Sequence, residues 1–289
     1  MVKYKHDRRS FIKLAGIAAT ASLAKKSDGL SQAVFGSQLQ ANEIKFNLGL
    51  ASYTLREFRL DQVLEISKKL DLKYLCFKDF HLALNSTPEQ IKEAAQKVKD
   101  SGFELYACGV VYMTDENQVN QAFDYAKAAG MKVIVGSPNH NLLPLVDKKV
   151  QEYDIKVAIH NHGPGDKNYP TAESVYELVK DLDKRIGLCL DIGHMKRLGL
   201  EPSDSAEKYK DRLLDVHIKD VTSADARGSA IQIGHGVIDI PKFLRTLMKI
   251  NYSNIVSFEY EKDPADPIAG LAESIGYVRG VLAGIRTEG

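Results

Sequence analysis

From Lys45 onwards, short β-branched or apolar runs alternate with amphipathic helical stretches, and this alternation limits the possible folds more than any other feature of the chain. The strand candidates are Phe46–Ala51, Tyr74–Phe77, Glu104–Val111, Lys132–Gly136, Lys156–His160, Ile186–Asp191, Leu213–Lys219 and Asn254–Glu259. Between them lie helical faces built from Leu60, Val63, Leu64 and Leu70, from Val119, Ala122, Phe123 and Ala126, and from Val175, Leu178, Val179 and Leu182. A further helix is expected from about Leu143 to Tyr153, and the last spaces Ile268, Leu271, Ile275, Val278 and Leu282 by three and four. The punctuation agrees. Thr87-Pro88-Glu89-Gln90 supplies a capping Thr, a Pro in the first turn and a Gln three residues after the cap, while Gly102 and Gly130 mark helix ends.

Eight strand-helix units in roughly 240 residues is the size of a closed (β/α)8 barrel. The competing architecture, an open doubly wound sheet, usually has fewer strands and often opens on a Gly-rich phosphate loop. No GxGxxG or GxxxxGK[ST] follows any strand here. The expectation is a single α/β domain, a TIM barrel, over residues 44–289.

Residues 1–43 read differently. Arg8-Arg9 precede Ser10-Phe11-Ile12-Lys13, then a mildly apolar run of small residues from Leu14 to Ala24, then Lys25-Lys26. Paired arginines ahead of such a run are the pattern of a twin-arginine export signal, with a Ser-, Gln- and Ala-rich linker after it. A basic amphipathic first helix is the alternative. The run is shorter than the ~20 apolar residues a membrane span needs, and no other stretch is apolar enough to cross one. The chain is therefore expected to be exported, to the periplasm, without a membrane span.

Composition narrows the partners. Lys and Arg total 39 against 38 for Asp and Glu, a net charge of +1, so there is no basic surplus to neutralise a nucleic-acid backbone. The three cysteines, Cys76, Cys108 and Cys189, sit inside apolar runs and read as small core residues.

Ionisable residues gather at the strand C-terminal ends, where a barrel builds its site. Strand five runs into His160-Asn161-His162, strand six into Asp191-Ile192-Gly193-His194, strand seven into His217-Ile218-Lys219-Asp220, and strand eight into Glu259-Tyr260-Glu261. Period-two alternation sets Gly187, Cys189 and Asp191 on one face, Leu213, Asp215 and His217 on another, and Ile255, Ser257 and Glu259 on a third. One assignment then aims His160, Asp191, His217 and Glu259 at the barrel axis from four consecutive strands. Two imidazoles and two carboxylates converging on one point need a neutralising charge, and one divalent cation (Mn, Mg, Zn or Co) accepts that mixture of N and O donors. Taken singly, Asp191 could cap a turn and His217 could be a core histidine.

These residues resemble the xylose-isomerase-like TIM barrels, the sugar isomerase and epimerase superfamily that also contains the type-2 apurinic endonucleases. The resemblance spans about residues 45 to 285 and rests on Asp-x-x-His at Asp191 and His194, His-x-Lys-Asp from His217 to Asp220, and Glu259. It implies a metal held by Glu, Asp, His and Glu from strands five to eight. Asp191, His217 and Glu259 match the last three, and His160 stands in the place of the first Glu. It also implies that His194 contacts substrate. Epimerases of the family set two metal-binding glutamates on opposite faces of the substrate; here only Glu259 is present. The further ligands of the endonucleases are not found.

Other mouth residues extend the reading. Lys78 and His81 after strand two, Tyr53 after strand one, His162 and Lys219 are candidates for substrate contact, Tyr53 and Arg56 for closing over the site, and Asp220 for support behind the ligands. Lys78 and His81 read equally well as solvated loop residues, while His162 and His235 read more readily as structural or supporting. The leading expectation is a metal-dependent sugar isomerase or epimerase, with the metal chelating neighbouring oxygens, one a carbonyl, and Glu259 or His194 moving the proton. A lyase or dehydratase acting on a keto-sugar or 3-keto-glycoside is the second reading, and a non-catalytic exported sugar-binding barrel the third. The partner is a small sugar or sugar derivative rather than nucleic acid, and a homo-oligomer fits the pattern.

Overall fold

The computed structural model describes residues 43–287, so the segment read as an export signal lies outside the described residues up to residue 42. Eight parallel strands close into a barrel: Asn47–Ala51, Tyr74–Phe77, Glu104–Met113, Val133–Pro138, Lys156–His160, Ile186–Asp191, Leu213–Ile218 and Ile255–Phe258. Strand one closes it by pairing with both strand two and strand eight. The expected TIM barrel is the observed fold, with strand limits displaced by two residues at most.

Two apolar layers hold it. Side chains on one face of the strands pack beneath the helices in a single large cluster that includes Leu50, Leu75, Ile134, Ile159, Leu190, Val216 and Phe258. The opposite faces fill the interior with Cys76, Tyr106, Ala107, Val135, Ala158, Cys189 and Ile255. All three cysteines are free and buried. Irregular registers decide where alternation breaks. Between strands six and seven, Leu188 pairs with Leu213 but Cys189 pairs with Asp215, so the extra residue turns Leu214 toward the interior and leaves Leu213 on the helix side. The expected shared face of Leu213, Asp215 and His217 is corrected accordingly: Asp215 and His217 keep it, Leu213 does not.

The helix signals act as read. The Thr87 side chain accepts from the Gln90 amide at 3.3 Å and the Gln90 side chain accepts from the Thr87 amide at 2.9 Å, with Pro88 opening Pro88–Asp100. Gly130 takes the left-handed conformation (φ 72°) that ends Glu116–Ala129. The last helix, Ile268–Thr287, corrects the statement that no other stretch could cross a membrane, since Ile268–Ile285 is long and apolar enough by length and composition. It nonetheless buries Leu271, Ile275, Val278, Leu282 and Ile285 against the barrel, and Ile268, expected in that stripe, is exposed.

Candidate metal centre at the barrel mouth

Neighbouring strand ends bring the four expected side chains to one level. Asp191 pairs in register with His217, His217 with Ser257, and His160 with Cys189. His160, Asp191, His217 and Glu259 are all buried, and each offers a ligand atom lying within 4.8 Å of the others. His160 Nε2 is 3.3 Å from Asp191 Oδ2 and 3.8 Å from Glu259 Oε2, and His217 Nδ1 is 3.1 Å from Glu259 Oε2.

Local structure locks this arrangement. Asn161 clamps the end of strand six, its Oδ1 accepting from the Asp191 amide at 2.9 Å and its Nδ2 donating to the Asp191 carbonyl at 3.1 Å. Asp191 in turn caps the short helix Ile192–Lys196 by accepting from the His194 amide at 2.8 Å. Gly193 leaves room for a neighbour: a Cβ there would lie 2.5 Å and 2.7 Å from Cγ and Cδ of Lys219. The Lys219 stem passes through that gap, and its ammonium reaches Asp191 Oδ2 at 2.8 Å, Glu259 Oε2 at 2.7 Å and Glu261.

These residues fit a divalent cation. Both ring nitrogens of His160 and Nε2 of His217 are buried without an aligned hydrogen-bond partner. Buried polar atoms in that state call for a ligand, because leaving one unpaired costs ~1–3 kcal/mol. Lys219 supplies only part of the balance, bridging the two carboxylates that a cation would share. Burial works against charge throughout the cluster, yet the neighbours prevail. At Glu259, burial is outweighed by the neighbouring Lys219, with His217 and His160 beside it, and the carboxyl is held well below its usual range. Asp191 is likewise lowered despite burial, by His194, Lys219 and His160. His160 is pushed up to about 9 against its own burial by the nearby carboxylates of Asp191 and Glu259. By contrast, burial drives His194 and His162 down to about 4, with the positive neighbours His160 and, for His194, Lys219 adding to it, so both rings are neutral near pH 7.

A pocket of about 320 Å³ opens above the cluster, lined by Tyr53, Lys78, Val110, Tyr112, His160, His162, His194, Glu259 and Glu261. Of the expected substrate contacts, Tyr53, Lys78, His162 and His194 reach it. His81 does not. Its Nδ1 is 2.8 Å from Ser52 Oγ, and its Nε2 faces the Leu55 and Phe58 carbonyls at 3.1 Å and 3.0 Å, so the ring ties the first two strand ends together. Lys219 lies beneath the pocket wall, held by carboxylates. Asp220, expected behind the ligands, instead accepts from the amides of Val221, Gly234, Gly236 and Ile238 at 2.9 to 3.2 Å and pins that loop. His235 is exposed and pairs with Glu273 at 2.7 Å, away from the pocket.

Three participants were not singled out in the sequence. Tyr112 stands at the end of strand three and meets His162 Nε2 at 3.0 Å. Glu261 lines the pocket two residues beyond Glu259, at the same spacing that pairs His160 with His162. Asp215 lies one layer below, fully buried, and burial pushes its carboxyl up to about 6. Its alternation with His217 was the available signal.

A family profile described as xylose isomerase-like TIM barrel matches residues 14–281. An inosose dehydratase of Lacticaseibacillus casei is 23% identical over 212 residues, covering 58% of this chain and 70% of that protein. The chain spans only 42% to 48% of the length of several other inosose dehydratases. Among solved structures, L-ribulose 3-epimerase superposes with a TM-score of 0.68 at 15% identity, over 84% of this chain and 96% of the other. The IOLI protein, solved with a zinc atom, superposes at 0.66 with 19% identity, over 84% and 99%. At these identities the superpositions speak for the fold alone.

Proposed function

The chain belongs to the xylose isomerase-like TIM barrel family, and we propose that it is a metal-dependent enzyme moving a proton beside the carbonyl of a sugar or keto-sugar. One divalent cation would be held by His160, Asp191, His217 and Glu259, and it supplies the Lewis acidity that weakens the C–H bond next to a chelated carbonyl.

The observation that carries the reading is where the bases stand. Both carboxylates lining the pocket, Glu259 and Glu261, issue from the end of strand eight, and strands five and six contribute imidazoles. Inversion at carbon needs a proton removed on one face and returned on the other. A single carboxylate serves same-face chemistry. Glu259 takes the α-proton and hands it to the departing hydroxyl, which leaves as water while the C=C bond forms. Lys219 holds Glu259 ionised and so ready to accept. His194 and His162, neutral at pH 7, hold substrate hydroxyls without competing for the proton. Elimination of water from a keto-sugar is therefore the first reading, in keeping with the inosose dehydratase relatives. Isomerisation on one face is the second, favoured by the same single base.

Incubation with Mn²⁺ and a panel of keto-sugars in deuterated water tests both. Isomerisation is expected to place deuterium beside the carbonyl without loss of water, and elimination to give a product lighter by one water. Neither deuterium uptake nor loss of water anywhere in the panel is the result that would contradict proton-abstraction chemistry. Export belongs to the same proposal: Arg8→Lys with Arg9→Lys is expected to retain the protein in the cytoplasm of a Gram-negative host, read by fractionation.

A further inference from the structure

Apolar side chains are seldom left in water in contiguous groups unless something covers them. Among the described residues, the two most exposed large apolar side chains are Phe80 at 55% and Tyr112 at 54%, and Tyr112 lines the pocket. Phe80 follows strand two, with its ring centroid 6.1 Å from that of Tyr53, which lines the pocket. Tyr112 stacks on His162 at 5.6 Å. The Lys78 ammonium sits between the rings, 5.8 Å from Phe80 and 5.9 Å from Tyr112. Tyr53, Phe80 and Tyr112 thus form an aromatic collar continuous with the pocket.

The cations at this rim are already engaged. Lys78 donates to the Val110 carbonyl at 2.9 Å and pairs with Asp79 at 3.0 Å. Arg56 donates to the Tyr53 carbonyl at 3.1 Å and the Glu261 carbonyl at 3.2 Å, with its guanidinium 4.7 Å from the centre of the Tyr53 ring. A phosphorylated sugar would meet rings and committed cations. A neutral ring would find faces to stack on, since the C–H face of a sugar and the flat face of an aromatic group both pack against aromatic side chains.

Building on the proposed sugar chemistry, we propose that the Tyr53–Phe80–Tyr112 collar is a subsite for a second, uncharged ring attached to the reacting sugar, so that the substrate class is a neutral glycoside and not a phosphosugar. The reacting ring lies over the metal centre, and the second ring lies outward against Phe80 and Tyr112.

The test is calorimetric titration of the Mn²⁺-loaded full chain with paired methyl and 4-nitrophenyl glycosides of D-glucose, D-galactose, D-mannose and D-xylose. The aryl member of at least one pair is expected to bind about fivefold more tightly than its methyl partner, the gain one stacked ring provides. Phe80→Ala should close most of that gap, Phe80→Trp should restore it, and Leu200→Ala, exposed but outside the pocket lining, should keep it. Methyl glycosides binding as tightly as aryl ones would overturn the collar while leaving the sugar reading intact. Failure of every glycoside to bind would overturn the collar, and the sugar reading stands or falls separately on the keto-sugar panel. A wild-type dimer in solution that Phe80→Ala dissociates would also overturn the proposal, by giving the rings a second copy of the chain as their cover.

Discussion

Along strands five to eight the rim carries His160, Asp191, His217 and Glu259, all buried and crowded with charge. Along strands one to three it carries Tyr53, Lys78, Phe80 and Tyr112, whose rings and stem reach toward solvent and whose charge is already matched. Both halves sit on the same scaffold, at the same end of parallel strands. The difference lies in what each leaves unsatisfied. The charged half has polar atoms that lack partners, which calls for a cation and a polar substrate. The aromatic half has apolar area that lacks cover, which calls for a neutral surface. On the proposed reading, reactivity and selectivity come from opposite sides of one pocket.

The sharpest way to break this contrast is to disable the charged half. Glu259→Gln is expected to slow conversion of the keto-sugar by about a thousandfold, the usual worth of a positioned base, in a single-turnover assay. An equal loss from a change confined to the aromatic half would erase the distinction.

Lys219→Met acts on stability instead. It leaves Asp191 and Glu259 buried without their ammonium, and in the metal-free protein this should cost about 3 to 5 kcal/mol by denaturant titration. Added Mn²⁺ should recover most of that loss, and more than it adds to the wild type, since the cation replaces the missing charge.

The pH profile of the metal-free protein probes the charged half without mutation. The folded pKa of His160, about 9, lies above its unfolded value of ~6.5, so its stabilisation is complete below pH ~6.5 and is lost as pH rises through 9. That window is worth about 3 kcal/mol. His162 and His194, held near 4, act in the opposite sense, and stability falls as pH drops from ~6.5 toward 4. Bound metal should flatten the alkaline limb, because His160 then serves as a neutral ligand in both ranges. An unchanged alkaline limb would show that His160 does not ligate.

The smallest effect belongs to the aromatic side. Tyr112→Phe removes the 3.0 Å contact with His162 but keeps the ring, and should raise KM about fivefold with little change in kcat.

How much of this was legible follows the same division. The barrel could be read because hydrophobic period and helix caps are local signals, and the four ligand candidates could be read because alternation from strand ends fixes their direction. Alternation failed at Leu213, where the extra residue opposite Leu188–Cys189 shifts the face, and register shifts of that kind depend on the partner strand. His81 and Asp220 were misplaced for a related reason. Each sits beside the mouth in sequence, but its polar atoms are taken by backbone groups, Leu55 and Phe58 for the first and the 234–238 loop for the second. The collar escaped because Tyr112 and Phe80 carry no spacing signal; only the folded rim shows them exposed, each near the Lys78 ammonium. Lys219 was placed at the mouth but assigned to substrate. Its ion pairs with Asp191 and Glu259 depend on the gap that Gly193 leaves, a contact between two strand ends.

The central claim is that four side chains from consecutive strands share one cation. Anomalous diffraction from crystals of the full chain grown with Co²⁺ tests it directly. The expected result is a single strong peak lying about 2.0–2.2 Å from donor atoms of His160, Asp191, His217 and Glu259. A peak elsewhere, or none at this cluster with cobalt in the crystal, would contradict the account.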